Sequence, residues 1–131
     1  MRYLLDTHIW VWMHDETQRL KSRVLRALRT PANELWLSPI SLWELILLTE
    51  KGRLTLAPEP MMWVATALMK TAVKEAPLTL EVVSELPRFQ LAHRDPADRF
   101  LVATARVYDL TLVTADERLL SIEGVSTLSN R

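Results

Sequence analysis

Short apolar segments alternate with longer amphipathic segments along the chain, and this alternation predicts the order of strands and helices. The predicted strands are residues 3–5, 34–37, 77–80, 110–113 and 125–128. The predicted helices are residues 17–28, 39–51, 60–74, 80–86, 96–108 and 116–120. Strands that alternate with helices of crossover length are typical of βαβ units. The pattern therefore predicts an α/β fold with a mostly parallel sheet.

Proline marks the start of three predicted helices. Pro39 follows Ser38, which is a favourable N-cap, and Pro60 and Pro96 open the two others. Proline suits the first helical position because the N–H that it lacks would have no partner inside the helix. Gly52 ends the first of these helices. These residues predict helix boundaries that do not depend on the hydrophobic pattern.

Length and composition narrow the class of protein. The chain has 131 residues, of which 49% are hydrophobic, and this predicts one folded domain covering residues 1–131. Its formal net charge is zero, so binding of nucleic acid would require a local basic patch. The absence of cysteine excludes disulfides, zinc fingers and thiol catalysis. The two glycines lie far apart, which excludes GxGxxG and P-loop nucleotide sites.

The apolar segments predict neither an export signal nor a membrane span. Residues 1–8 contain an arginine and an aspartate around a very short apolar run, unlike a secretory signal. The most apolar run, residues 42–48, contains Glu44 and is far too short to cross a bilayer. We therefore expect a cytoplasmic protein without membrane attachment.

Glu44 is the most unusual acid in the sequence. It is the only charged residue of segment 41–48, and it shares a helix face with Ile40, Leu47 and Leu48. Burial of an unpaired carboxylate costs several kcal/mol, so Glu44 needs a partner. That partner is either an arginine in the core or a cluster of groups around a metal ion.

The segment DPADRFLVATA, residues 95–105, begins a helix with two acids. Pro96 at the first helical position makes Asp95 the N-cap and Asp98 the third helical residue. Both positions favour acids, because the first N–H groups of a helix lack partners and its N-terminus is electropositive. Asp98 also shares a face with Leu101 and Val102, so we expect its carboxylate to point toward the sheet edge.

Asp6 and Asp116 follow predicted strands, and each could simply cap the next turn or helix. Ligands of open parallel sheets, however, bind beyond the carboxyl ends of the strands. If these ends meet the helices that carry Glu44 and Asp98, four carboxylates converge and repel one another. Mg²⁺ or Mn²⁺ would offset this repulsion, because these ions prefer carboxylate and water oxygens.

Four segments resemble, in order, the four acidic blocks of PIN domains, and most of all those of VapC toxins from bacterial type II toxin–antitoxin pairs. They are LLDTH at 4–8, SLWEL at 41–45, DPADRFLVATA at 95–105 and LVTADERL at 112–119. The ordered set covers nearly the whole chain at suitable spacing. The resemblance implies a three-layer α/β/α sandwich and a Mg²⁺- or Mn²⁺-dependent endoribonuclease.

The resemblance also assigns roles to the acids. Asp6 would be the central metal ligand. Glu44 and Asp98 would complete the shell of the ion, directly or through water and the attacking nucleophile. Asp116 would serve a second ion or the water network. All four acids are present, so the resemblance implies an active rather than a degenerate site.

Further implications of the resemblance concern a hydroxyl group and the partners. Thr114, or less directly Thr7 or Ser41, would supply the hydroxyl that family members hold near the acids. The implied partners are an RNA substrate, a small VapB-like antitoxin and a second copy of the chain in a homodimer. The helix predicted at 60–74 is apolar over more than one face, which suits such a protein partner.

Several basic and aromatic residues keep more than one interpretation. Arg99 either contacts an RNA phosphate or forms an ion pair that holds the loop. His8 and His93 flank acidic blocks and are candidates for a general base, although a metal ion would make that role unnecessary. The following arginines form either a solvated helix face or a phosphate-binding edge: Arg19, Arg23, Arg26 and Arg29. The following tryptophans are interpreted as core or interface residues rather than base-stacking platforms: Trp10, Trp12, Trp36 and Trp43.

Two other functions remain open from the sequence. The first is an α/β signalling module in which an aspartate accepts a phosphoryl group, again with carboxylates at strand ends and Mg²⁺. It predicts a lysine near the last strands, and no lysine follows Lys74. The second is a non-catalytic scaffold that retains a PIN-like acidic cleft.

Overall fold

A five-stranded parallel sheet forms the centre of the computed structural model, which describes residues 1–90 and 95–131. The strands are β1 (Arg2–Leu5), β2 (Glu34–Leu37), β3 (Lys74–Glu75), β4 (Thr111–Thr114) and β5 (Thr127–Ser129). Their order across the sheet is β3-β2-β1-β4-β5, and every neighbouring pair is parallel. The parallel sheet predicted from the sequence is confirmed.

Seven α-helices flank this sheet in the two described ranges. They are α1 (Thr7–Asp15), α2 (Ser22–Arg29), α3 (Pro39–Glu50), α4 (Pro60–Lys70), α5 (Leu80–Glu85), α6 (Pro96–Tyr108) and α7 (Glu117–Leu120). Two 3₁₀ turns cover Thr17–Arg19 and Leu86–Arg88. None of the helices in the described part of the chain has the length and apolar character that a bilayer span requires.

Side chains of the sheet alternate between two hydrophobic cores, one on each face. Tyr3 and Leu5 of β1 belong to one core, and Leu4 between them belongs to the other. Side chains of α1, α2 and α4 fill the first core, those of α5, α6 and α7 fill the second, and α3 contributes to both. The sheet is therefore covered on both faces, and the predicted three-layer sandwich is confirmed.

The strand order creates a switch point between β1 and β4. From β1 the chain builds outward through β2 and β3, and then returns to β4 on the other side of β1. Tyr3 consequently pairs with Leu35 on one side and with Thr111 on the other. In open parallel sheets a crevice forms at such a point, beyond the carboxyl ends of the two strands. Here those ends are Leu5 and Thr114.

Helix α1 has no counterpart in the hydrophobic pattern, which predicts no element over residues 7–15. Its aromatic and β-branched residues have modest helix propensity. The helix is set by its surroundings instead. The carboxylate of Asp6 caps it by accepting a hydrogen bond from the Thr7 N–H at 2.8 Å. Ile9, Trp10 and Val11 are buried, so tertiary packing overrides the weak local preference.

Several predicted boundaries differ from the structure. The third strand lies at Lys74–Glu75 rather than at residues 77–80, because α4 already ends at Lys70 and the following residues pair with β2. The first part of the helix predicted at 17–28 is the 3₁₀ turn Thr17–Arg19, and α2 begins only at Ser22. Strands β4 and β5 are shifted by one or two residues from their predicted positions.

Candidate active site

A cavity of about 420 Å³ opens at the switch point. Its wall contains the four acids that the sequence predicts: Asp6, Glu44, Asp98 and Asp116. Other residues of the wall are His8, Ile9, Trp12, Asp95, Ala115, Arg118 and Arg131. Within residues 1–90 and 95–131, no three Asp, Glu or His side chains converge closely enough to bind one ion by themselves. The acids thus share one cavity without forming a closed ligand cage.

Asp6 lies at the centre of the hydrogen bonding in this cavity. It follows β1, and its backbone N–H donates to the carbonyl of Val113 at 3.0 Å, which ties it to β4. Its Oδ1 accepts from the Thr7 N–H at 2.8 Å, and its Oδ2 accepts from the Thr114 hydroxyl at 2.7 Å. Burial raises the pKa of Asp6, and the hydrogen bond from Thr114 partly opposes that rise.

Thr114 links two of the acids. It is fully buried at the end of β4, where its hydroxyl donates to Asp6 Oδ2. The same hydroxyl oxygen accepts from the Asp116 N–H at 3.0 Å. One side chain therefore fixes both the orientation of the Asp6 carboxylate and the backbone course toward Asp116.

Glu44 is half-buried on α3 and faces the cavity. Burial raises the pKa of its carboxyl, and the negative charges of Asp6 and Asp95 raise it further. The Thr7 hydroxyl opposes the rise, although it makes no regular hydrogen bond to any described residue. None of the ion pairs within the described ranges involves Glu44. Of its two predicted partners, the acidic cluster is therefore favoured over a core arginine.

Asp98 and Asp95 occupy the first turn of α6 as the sequence predicts. Asp95 is the N-cap, and its Oδ1 accepts from the Ala97 N–H at 3.0 Å. Asp98 is only 5% exposed, although it lines the cavity. The cap prediction for Asp95 is confirmed, and its carboxylate also borders the cavity.

Asp116 and Arg118 form a pair that sequence reasoning missed. Asp116 caps α7, and its carboxylate accepts from the Arg118 N–H at 2.9 Å. The guanidinium of Arg118 folds back and donates to both carboxylate oxygens, at 3.1 and 2.9 Å. The sequence signal for this ion pair is an arginine two residues after an acid that caps a helix. The pair places a cation at the rim of an otherwise acidic cavity.

Arg99 is not brought to the cavity. Its Nε donates to the carbonyl of Phe89 at 2.9 Å, and its Nη2 donates to the carbonyl of Leu86 at 2.7 Å. This placement disagrees with both predicted roles, the phosphate contact and the ion pair. The guanidinium instead donates to the carbonyl of Leu86, the first residue of a 3₁₀ turn, and to that of Phe89, which follows the turn.

We expect the variant Arg99→Ala to lower the free energy of unfolding by about 1–3 kcal/mol, because two charge-assisted hydrogen bonds to carbonyl oxygens are lost, although the Leu86 carbonyl still accepts from the Phe89 N–H. Urea unfolding measures this loss. Arg106→Ala is the matched control, since Arg106 is exposed on the same helix. Equal stability of the two variants would contradict the role of Arg99 in holding the turn.

Of the two histidines weighed from the sequence, His8 lines the cavity. Its ring lies beside Trp12, with the ring centroids 5.8 Å apart. His93 lies outside the described residues. Of the other hydroxyl candidates, Thr7 and Ser41 are buried, and within the described ranges neither hydroxyl has a hydrogen-bond partner. Thr114 is therefore the hydroxyl that contacts an acid directly.

The chain resembles known proteins along almost its whole length. Residues 3–125 match the family model of the PIN domain. The chain is 34% identical over 119 residues to Ribonuclease VapC22 of Mycobacterium tuberculosis, an alignment that covers 90% of this chain and 89% of the relative. The match to the family model spans all four acidic segments.

Solved structures share the fold at lower sequence identity. VapBC2 from Rickettsia felis, bound to a DNA fragment from its promoter, matches with a TM-score of 0.73 and 17% identity over 98% of each chain. FitAcB from Neisseria gonorrhoeae matches with a TM-score of 0.69 and 20% identity over 98% of this chain and 97% of that chain. The family model and the sequence relative go further than the fold, and they establish that this chain belongs to the PIN domain family.

Proposed function

We propose that the chain is a divalent-metal-dependent endoribonuclease and the toxin component of a type II toxin–antitoxin pair. The observation that carries this proposal is the single cavity at the switch point, which is lined by acids from four separate segments. The ribonuclease named among the relatives supports RNA as the substrate. The proposed catalytic and metal-binding residues are Asp6, Glu44, Asp98 and Asp116.

The residues of the cavity fit a magnesium-like ion. The oxygen donors in its wall are carboxylates, which Mg²⁺ and Mn²⁺ prefer together with water. Burial raises the pKa values of Asp6 and Glu44, and neighbouring carboxylates add to the rise, so a bound cation would favour the ionised form of both groups. The buried Thr7 hydroxyl has no hydrogen-bond partner in the described ranges, which leaves an oxygen available beside Glu44. Mg²⁺ commonly binds through one or two carboxylates and several waters, so the open arrangement suits it.

When bound, the ion offsets the charge of the carboxylates and of the phosphodiester group. Asp6 holds its carboxylate ready, because Thr114 and the Thr7 N–H fix both oxygens before any ligand arrives. Asp98 adds a second nearly buried carboxylate from the start of α6.

Glu44 suits the role of proton acceptor. Its raised pKa makes its carboxylate a stronger base than an exposed glutamate. A water molecule attacks phosphorus and transfers a proton to Glu44, a new bond forms between its oxygen and phosphorus, and the bond from phosphorus to the leaving nucleotide oxygen breaks. The leaving oxygen takes a proton from solvent, and Glu44 then releases its proton to solvent, so charge and atoms balance.

The alternative of a phosphoaspartate signalling module is less well supported. Such a module needs a lysine that contacts the phosphoryl group, and the described wall of the cavity contains none. Among the described residues of the wall, the guanidinium of Arg118 pairs with Asp116. The alternative of a non-catalytic scaffold is tested by measuring RNA cleavage and ion binding.

An exposed apolar surface on α4 supports a protein partner. Its exposed large side chains are Met61, Met62, Leu68 and Met69. Met69 is 88% exposed, which is unusual for an apolar residue without a partner. The structural neighbours include VapBC complexes. We therefore extend the proposal to a small VapB-like antitoxin as partner, with a homodimer as a further assembly.

Incubation of the purified chain with RNA tests the proposal. We expect cleavage with Mg²⁺ or Mn²⁺, none with EDTA, and recovery when excess ion is added back. Calorimetry should detect binding of the ion in the absence of RNA. Cleavage that persists in EDTA would contradict metal dependence. A chain that neither cleaves RNA nor binds either ion would instead be a scaffold.

A further inference from the structure

An acidic cavity repels the polyanion that it is proposed to cut. Because the chain has no net positive charge, binding of a polynucleotide must come from basic groups placed close to the acids. Two groups of basic residues border the cavity, one on each side. A role for these groups in binding RNA rests on the proposed nuclease function.

Three cavities join into one continuous track. The acidic cavity shares Trp12, Ala115 and Arg131 with a neighbouring cavity of about 430 Å³. On its other side it shares Glu44, Asp95 and Arg118 with a cavity of about 500 Å³. A ligand that enters either outer cavity therefore reaches the acids without leaving the surface.

The first outer cavity contains the cations Arg19, Lys21 and Arg131, which we name the first flank. The Arg131 guanidinium is held by the carbonyl of Ala115 at 2.8 Å and by Glu117 at 3.2 Å. The Arg19 guanidinium lies over the Trp12 ring, 5.3 Å from its centroid, and its Nε pairs with Glu16 at 3.2 Å. A guanidinium has five N–H donors, so these contacts orient both groups and leave donors for a phosphate.

Lys21 is the least engaged cation of this flank. Its backbone N–H donates to the Asn130 side chain at 2.7 Å, which fixes the position of the residue. In residues 1–90 and 95–131, no ion pair joins its amine to a carboxylate. The amine of Lys21 is therefore available to a phosphate group next to the cleavage site.

The second outer cavity contains Trp43, Lys51 and Arg53, which we name the second flank. Lys51 and Arg53 are exposed, and no ion pair of the described residues involves them. Trp43 precedes Glu44 on α3 and is 45% exposed. An exposed indole ring beside two cations is a suitable platform for an unpaired base. This exposure excludes a core role for Trp43.

We infer that the two flanks bind a single-stranded polynucleotide across the acidic cavity. The first flank binds phosphate groups on one side of the cleaved bond. The second flank binds phosphate through Lys51 and Arg53, and stacks one base on Trp43. A duplex does not fit this arrangement, because its bases stack on one another and hide the faces that Trp43 would contact.

Fluorescence anisotropy with a short labelled single-stranded RNA tests the inference, with EDTA present so that no cleavage occurs. We expect Lys21→Ala and Lys51→Ala each to weaken binding and to reduce the slope of log K against log salt by about 0.7, as for one lost phosphate contact. Trp43→Ala should weaken binding about tenfold without changing the slope. Arg106→Ala is the control, because it removes an exposed positive charge outside the three cavities. It should change neither the affinity for RNA nor the salt dependence of binding.

Two further RNA probes separate base stacking from phosphate binding. An RNA with abasic positions should bind wild-type protein more weakly, and Trp43→Ala should then cause no additional loss. Duplex RNA of the same sequence should bind more weakly than the single strand. Equal binding of both forms, or lysine variants that behave like Arg106→Ala, would overturn the inference. A parallel cleavage assay with Mg²⁺ keeps the two proposals apart, since flank-dependent binding without cleavage contradicts only the nuclease.

Discussion

Replacement of Asp6 by asparagine should reduce RNA cleavage by at least about 10³-fold, because a carboxylate at the centre of the proposed ion site is lost. The shape of the side chain is kept, and its one oxygen can still accept from Thr114, but the amide nitrogen cannot accept from the Thr7 N–H. A large loss of activity in a variant that urea unfolding shows to be folded would therefore reflect the lost charge. Initial cleavage rates at saturating Mg²⁺ measure the effect.

The same substitution should also change how the stability of the ion-free protein depends on pH. The raised pKa of Asp6 means that the unfolded chain releases this proton more readily than the folded chain. The free energy of unfolding therefore falls as pH rises from the ordinary aspartate pKa through the raised one. Asparagine does not ionise, so in the variant the free energy of unfolding should decrease less over this pH range. A smaller decrease remains, because the pKa of Glu44 is also raised.

Asp109→Asn is the matched control for both measurements. Asp109 is exposed at the end of α6 with a φ of 53°, a conformation that asparagine adopts readily. It should leave cleavage and the pH dependence of stability unchanged. Full activity of Asp6→Asn, with normal ion binding, would show that the proposed centre is wrong.

Replacement of Thr114 by valine should destabilise the fold by about 2 kcal/mol at neutral pH, because a buried hydrogen bond to a carboxylate is lost. The Asp116 N–H also loses its acceptor. The pKa of Asp6 should rise further, since the Thr114 hydroxyl lowers it in the native protein. We expect cleavage to fall about 10- to 100-fold, as for other groups that orient a metal ligand.

Thr114→Ser keeps the hydroxyl and should retain most of the stability and activity. A double-mutant cycle with Asp6→Asn isolates the contact, because a hydrogen bond to a neutral amide contributes less than one to a carboxylate. The stability loss caused by valine should therefore shrink in the Asp6→Asn background. An unchanged loss would mean that Thr114 acts through packing rather than through Asp6.

The fold could be predicted where the signals are local. Ser38 caps α3 by accepting from the Ile40 N–H at 3.1 Å, and Asp95 caps α6. Both follow from a polar residue placed directly before a proline. Helix α1 and strand β3 could not be predicted in this way. The residues of α1 are stabilised by burial, and the two exposed residues of β3 pair with β2 only because the chain returns there.

The sequence predicted the acidic residues of the candidate site but not the contacts of its basic residues. Asp6 and Asp116 follow strands, and the parallel sheet brings their ends together. Their roles in binding an ion remain predictions. The contacts of Arg99 and Arg118 could not be assigned from the sequence, because the long side chain of arginine can reach several different acceptors. One meets carbonyls of the turn Leu86–Arg88 and its neighbour, and the other meets Asp116.

The sequence by itself determined which helices begin at which prolines, that the strands are parallel, and which four acids line one cavity. These features depend on capping, periodicity and the direction of strands, all of which are short-range or topological. Only the tertiary structure decided that Thr114 connects Asp6 to Asp116, that Arg118 borders the acids, and that Trp43 is exposed beside them. Those facts depend on distances between atoms from distant segments, and only packing of the whole chain sets such distances.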